Sequence, residues 1–288
     1  MADKENLPMQ VFGSRAYKVG LSVRTIGQGP NLILIHGGAG SRTHWTNNVE
    51  TLAASFTVVT LDLPGFGESA TVSEGISTQE YLAWVAQAVR LAVNDQPFHL
   101  AGFSFGGAVS AGVAVQLAAQ GHAPSRLSLI SPSGFGKPTG RLITLEKVRK
   151  SDSTPMHEIN AATARNLGRW MLAKEPSVDD PAVEIHLRNV GLARFDSRVI
   201  SYENSLIKNL QRLDIPLQIL LGEQDPLIFP SKFERKALLN QSLPKARVEM
   251  IPGAGHWLQY EASSAVNTTI SQFHLEGTKH ELPNNQHS

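Results

Sequence analysis

Four short apolar runs, each closed by glycine, proline or a polar residue, constrain this chain more than any other feature. They lie at residues 31–35 (NLILI), 57–63 (TVVTLDL), 98–103 (FHLAGF) and 127–130 (LSLI). Runs this short and this uniformly apolar suit strands covered on both faces. Between the second and third, Leu82, Val85, Val89 and Ala92 recur at helical spacing, with Ser77 and Thr78 placed to cap the helix N-terminus. Residues 106–119 are small and apolar nearly all round, as a helix packed against a sheet requires. The alternation predicts an α/β fold: a mostly parallel, doubly wound sheet with helices on both faces. Residues 11–23 read as antiparallel edge strands.

After Ser131-Pro132-Ser133-Gly134 the alternation stops. It resumes at residues 217–222 (LQILLG), continues at 248–251 (VEMI), and ends in a helix carrying Val266, Ile270 and Phe273. The interval holds helix-compatible stretches at 159–172 and 183–192, punctuated by Pro155, Pro176 and Pro181. The expected organisation is therefore one core domain built from residues 1–132 and 213–276. A helical lid spans residues 133–212, and residues 277–288 form a disordered polar tail.

Composition excludes several function classes. Among 288 residues, 26 Lys and Arg face 25 Asp and Glu, a formal net charge of +1. That balance gives no basic face for nucleic acid or for an anionic membrane. No apolar run approaches the roughly 18 residues of a spanning helix, and the first residues lack the apolar stretch of a secretory signal, so a cytoplasmic protein is expected. With 0 cysteines there are no disulfides and no thiolate chemistry, and no His/Asp/Glu cluster has metal-ligand spacing. Nothing in the sequence calls for a cofactor. A small-molecule carbonyl substrate is the expected partner, and homo-oligomerisation is left open.

The chemistry concentrates in loops after the apolar runs. Gly102-Phe103-Ser104-Phe105-Gly106-Gly107 fits G-x-S-x-G directly after one predicted strand and before a predicted helix, the context in which that motif exposes a serine nucleophile. A serine hydroxyl needs a base and an orienting acid, arriving later in the chain. Asp225 follows LQILLG and His256 follows VEMI; Glu223 is the competing acid. Donors for a developing oxyanion are expected from the N–H groups of Phe105 and of Gly38, the latter in the glycine-rich loop His36-Gly37-Gly38-Ala39-Gly40. His36 reads as structural, because one general base suffices. The turn Asp62-Leu63-Pro64-Gly65-Phe66-Gly67-Glu68-Ser69 reads as a shaped pocket edge.

In this order these motifs resemble the α/β-hydrolase superfamily in its serine-nucleophile branch, over residues 11–273 apart from the lid. The segment from His256 to Glu261 (HWLQYE), followed by Asn267, resembles the signature shared by epoxide hydrolases and meta-cleavage product hydrolases. Ser104 excludes the first, whose nucleophile is an aspartate. The second cut a C–C bond, and the resemblance implies Trp257 at the site and a lid arginine, Arg188 or Arg194, for the substrate's keto-acid end. Phe103 stands where those enzymes have asparagine, which turns the expectation toward a carboxylic ester or lactone, with a 2-hydroxy-6-oxo-dienoate as the alternative. A non-catalytic small-molecule receptor is the third reading. The expected substrate-binding residues are Phe103, Trp257, Arg188, Trp170, Met171 and Phe195.

Overall fold

A computed structural model describes residues 10–12, 15–17, 20–139, 143–147 and 154–276. Among these, β1 (Gln10–Phe12) and β2 (Arg15–Tyr17) form a small antiparallel pair. The remaining strands are β3 (Val23–Ile26), β4 (Asn31–Ile35), β5 (Thr57–Leu61), β6 (Phe98–Phe103), β7 (Leu127–Ile130), β8 (Leu217–Gly222) and β9 (Arg247–Ile251). They build a seven-stranded sheet in the order β3-β5-β4-β6-β7-β8-β9, parallel throughout except where β3 runs antiparallel to β5. The antiparallel edge of the main sheet is thus β3, which shares only Val23 with the segment 11–23 read as edge strands, while β1 and β2, largely within that segment, pair with each other.

Side-chain alternation along the strands explains why both faces are apolar. Ile33, Ile35, Leu100, Leu127, Leu129, Ile219 and Leu221 join one buried cluster, whereas Leu32, Leu34, Ala101, Phe103, Ile130 and Leu220 join the other. The helices α2 (Thr78–Ala92) and α3 (Phe105–Ala118) cover the first face, and α1 (Val49–Ala53) and α10 (Ser263–Leu275) the second. Ser77 begins α2 with a full capping box against Glu80, satisfying two otherwise orphaned donors. Because six strands run the same way, the loops after β4, β6, β8 and β9 emerge along one edge of the sheet.

The chain between β7 and β8 carries α4 (Met156–Trp170), α5 (Pro181–Leu192), α6 (Arg198–Ser201) and α7 (Leu206–Leu210). Asp180 caps α5, with Pro181 in the first turn where its missing N–H costs nothing. The helices α8 (Lys232–Ser242) and α9 (Leu258–Glu261) flank β9. Amphipathic spacing marks α8 only weakly, since Leu239 is its one buried residue, and sequence periodicity passes over it. Residues 277–288, expected to be a disordered tail, lie outside the described residues. No helix among the described residues is long and apolar enough to cross a membrane.

Candidate active site

Ser104 joins β6 to α3 at φ +52°, in a region that residues with a Cβ rarely adopt and that costs on the order of 1–3 kcal/mol. Two glycines make the turn feasible. A Cβ on Gly102 would lie 2.3 Å from Ser110 Oγ, and one on Gly106 would lie 2.3 Å from the His36 carbonyl. The turn is pinned by the Ser104 N–H donating to Ile130 O at 2.9 Å and by Gly107, Ala108 and Ser133 N–H groups donating to Ser104 O.

Loops after β8 and β9 bring the other two groups to Ser104. Nδ1–H of His256 donates to Asp225 Oδ2 at 2.8 Å, which leaves Nε2 to accept from Ser104 Oγ–H at 2.9 Å. Asp225 Oδ1 accepts from the Leu227 N–H at 2.7 Å, so the carboxylate is held at both oxygens. Asp225 and His256 are buried. Glu223, the competing acid, points elsewhere: it accepts from the Gly253 N–H at 3.1 Å and lies 3.5 Å from Lys232 Nζ. The order Ser, Asp, His is assembled by parallel strands alone.

The loop after β4 lies against the same serine. The N–H groups of Gly38 and Phe105 have no acceptor among the described residues, and a Cβ on Gly38 would lie 3.5 Å from Phe105 Cβ. His36 is neutral and structural: Nδ1–H donates to Gly37 O at 2.7 Å and Nε2 accepts from the Leu63 N–H at 2.8 Å. Burial lowers its pKa to about 4, against the pull of Asp62. His44, which sequence reading did not single out, accepts the Gly37 N–H at Nδ1, and burial holds its pKa well below the usual histidine value. Its ring fills the space beside Gly40, where a Cβ would collide with it. Ser197 was also missed. Its hydroxyl lies 2.4 Å from where a Cβ on Gly38 would be, so the segment between β7 and β8 packs directly against the glycine loop.

A cavity of about 790 Å³ opens from Ser104, Asp225 and His256. Its walls come from residues 131–139, from α6 and α7, from the loop after β8, and from α8. None of the six side chains expected to bind substrate lines it, and the physical reasons differ. Phe103, Met171 and Trp257 are buried in the core cluster on one face of the sheet. Phe103 is turned that way by strand alternation, and Trp257 Nε1–H donates to His44 O at 2.9 Å while its ring stacks on Tyr260. Trp170 packs on that cluster, edge-on to His186. Phe195 stacks on Tyr81 at 4.7 Å and meets Phe66 and Phe105. Arg188 is largely exposed, 3.8 Å from Glu68. Arg194 donates to the carbonyls of Gly67, Ser69 and Leu192, tying the segment between β7 and β8 to the turn after β5. That turn is itself held by Asp62, which pairs with Arg42 at 2.6 Å.

Comparison with known proteins gives the family. The chain is 31% identical over 264 residues to the dihydrolipoyllysine-residue acetyltransferase component of the acetoin cleaving system of Pseudomonas putida, covering 85% of this chain and 63% of that protein. It is 26% identical over 247 residues to monoacylglycerol lipase ABHD6 of Bos taurus, covering 80% of this chain and 71% of the other. The chain thus spans less than two thirds of the first of these relatives. The crystal structure of a candidate aryl esterase from Burkholderia cenocepacia superposes with a TM-score of 0.70 at 25% identity, over 88% of this chain and 93% of that one. Residues 32–269, most of the chain, match the profile of the Alpha/beta hydrolase family, and the protein belongs to that family.

Proposed function

We propose that this protein is a serine hydrolase that cleaves a carboxylic ester or lactone through an acyl-enzyme. The observation that carries the reading is the continuous relay from Ser104 Oγ through His256 to Asp225, at 2.9 and 2.8 Å. As the Ser104 oxygen adds to the substrate carbonyl, its proton passes to His256 Nε2, and the imidazolium is stabilised by Asp225. The N–H groups of Gly38 and Phe105 receive the oxyanion. The C–O bond to the leaving group then breaks, and His256 returns the proton to the departing alkoxide. Water, deprotonated by His256, adds to the acyl carbon and releases the acid and Ser104. Residues 133–212 act as a lid, with Ser197 over the glycine loop.

Ester cleavage is preferred over C–C cleavage for a chemical reason. An alkoxide leaves with the proton His256 already holds, whereas a carbanion must be protonated at carbon. Trp257 no longer favours the C–C alternative, because its indole is committed to His44 and to the core. The relatives named above as a lipase and a candidate esterase support the same choice. The test is labelling by a fluorophosphonate probe with parallel assay of short 4-nitrophenyl esters. Wild type is expected to be labelled and to turn over repeatedly; Ser104→Ala should lose the label and about 10⁴-fold or more in kcat. Undiminished labelling of the variant, or a single turnover without a second, refutes the assignment.

A further inference from the structure

The cavity wall beyond Ser104 is unevenly charged. Apart from Asp225 and His256 beside the serine, its acidic and basic side chains are Lys137, Arg198, Lys208, Arg235 and Glu234. Arg198 is neutralised by a two-pronged pair with Asp196, at 2.8 and 2.7 Å. Glu234 accepts from Ser231 Oγ at 2.7 Å. Lys137, Lys208 and Arg235 have no carboxylate within ion-pair reach among the described residues.

Exposed lysines on a rim are ordinary solvated charges. Arg235 is different. It is half-buried, its guanidinium carbon stands 3.5 Å over the ring of Phe135, and its Nη2–H donates to Phe229 O at 2.7 Å. Burial lowers its pKa to about 10, so it remains a cation at neutral pH. The nearby charge of Asp225 is felt there, but both Asp225 oxygens are already engaged by Leu227 and His256. A fixed, partly desolvated guanidinium with donors to spare is poised to receive a planar anion. The cavity that Ser104 and Arg235 both line also presents the apolar side chains of Leu221, Leu227, Ile228 and Leu238.

We propose that the substrate's acyl part ends in a carboxylate, joined to the scissile carbonyl by a short apolar chain, and that Arg235, assisted by Lys137 and Lys208, is the specificity-determining cation that binds it. The inference rests on the serine-hydrolase reading and names the substrate class for that site.

The test compares mono-4-nitrophenyl adipate with 4-nitrophenyl hexanoate, acyl chains of equal length that differ in the terminal charge. For wild type, kcat/KM for the adipate should exceed that for the hexanoate by about tenfold or more, chiefly through a lower KM. The ratio should fall as salt is raised. Arg235→Met should bring the ratio down to about one, and Arg235→Lys should keep most of it. Should Arg235→Met fail to fold by circular dichroism, the double variant Lys137→Met with Lys208→Met and the salt series read the same ratio, which should drop severalfold. A ratio of one or less in wild type, or a high ratio indifferent to these substitutions and to salt, overturns the proposal while leaving the serine hydrolase intact. No turnover of either ester, with Ser104 refractory to fluorophosphonate, removes the underlying reading and this proposal with it.

Discussion

The loops around Ser104 and the wall of the cavity below them are built on opposite terms. At the loops most polar atoms are committed: both oxygens of Asp225, both ring nitrogens of His256 and of His36, and the N–H and carbonyl of Ser104 have named partners, with the N–H groups of Gly38 and Phe105 left open. Across the cavity, Lys137, Lys208 and most of the Arg235 donors are left open among the described residues, and Leu238 and Tyr202 are partly in water. On the proposed function the difference separates two tasks. Groups that move a proton must already be oriented when the substrate arrives, whereas groups that select a substrate must stay free until it does.

The most damaging single change short of replacing Ser104 should fall on the committed side. Asp225→Asn cannot accept a hydrogen bond as a carboxylate does or stabilise the imidazolium, and kcat should drop on the order of 10³–10⁴-fold with normal folding. Glu223→Gln, whose carboxylate serves Gly253 and Lys232 instead, should stay within about twofold of wild type. Steady-state kinetics of the two variants reverses the assignment if Glu223→Gln is the crippled one.

The seam between the two regions is Gly38 against Ser197. A Cβ added at Gly38 would lie 2.4 Å from Ser197 Oγ and 2.9 Å from its Cβ, so Gly38→Ala must displace either α6 or the glycine loop. We expect kcat to fall roughly 10–100-fold, in line with a misplaced oxyanion donor. Adding Ser197→Gly to Gly38→Ala should restore most of that loss, because it empties the contested space. Failure of the second substitution to rescue the first would mean that the two regions meet less closely than this contact implies.

On the open side, the expected effects are ratios rather than losses. Replacing residues 133–212 should reorder kcat/KM among small and bulky esters while fluorophosphonate labelling of Ser104 persists, since α6, α7 and residues 133–139 supply much of the cavity wall. Simple esters should exceed a 2-hydroxy-6-oxo-dienoate in kcat/KM by at least about tenfold, or roughly 1.4 kcal/mol of transition-state stabilisation. Faster turnover of the dienoate would place carbanion protonation within this site's reach and reverse the choice of reaction.

The same contrast explains what the sequence discloses. Strands β6, β7 and β8 and helices α3 and α10 are legible because an apolar run between breakers, or a helical repeat, is a local signal. Ser104, Asp225 and His256 are legible because each follows such a run. The cavity wall has no local signal: residues 134–139 and 227–230 are irregular loop, and α6 and α7 have only four and five residues. Phe103 and Met171 are buried in one core cluster, and Trp170 and Phe195, half-buried, pack against the two clusters, so each of these large apolar side chains has neighbours in the fold itself. For Phe103 a usable signal existed. Strand alternation places it with Ala101, facing away from Leu100. Arg235 offers none, since its meaning depends on Phe135, a hundred residues away in sequence, coming to lie beneath it.

The smallest predicted effect concerns histidines buried at opposite ends of the sheet. At the site, His36 and His44 have each found hydrogen-bonded roles, so replacing them would disturb the glycine loop. On the β6 and α10 side, His99 and His274 lie 4.9 Å apart beside Phe56, and each has an Nδ1 without a partner among the described residues. Burial, aided by Arg126, lowers the pKa of His99 to about 4 and puts that of His274 well below 6.5. A folded-state value below the unfolded one means that the unfolded chain takes up protons first as pH falls. Stability is therefore full above about pH 6.5 and is lost progressively between there and about pH 4. His99→Leu removes one such group together with its unpartnered nitrogen. At pH 8 the variant should melt within a few degrees of wild type, and the loss of Tm between pH 8 and pH 5 should shrink by about 2–4 °C, corresponding to roughly 1 kcal/mol. Its kcat at pH 8 should be unchanged, because nothing around His99 touches the serine loop. An acid limb as steep as that of wild type would assign the pH sensitivity to His274, His36 and His44 instead.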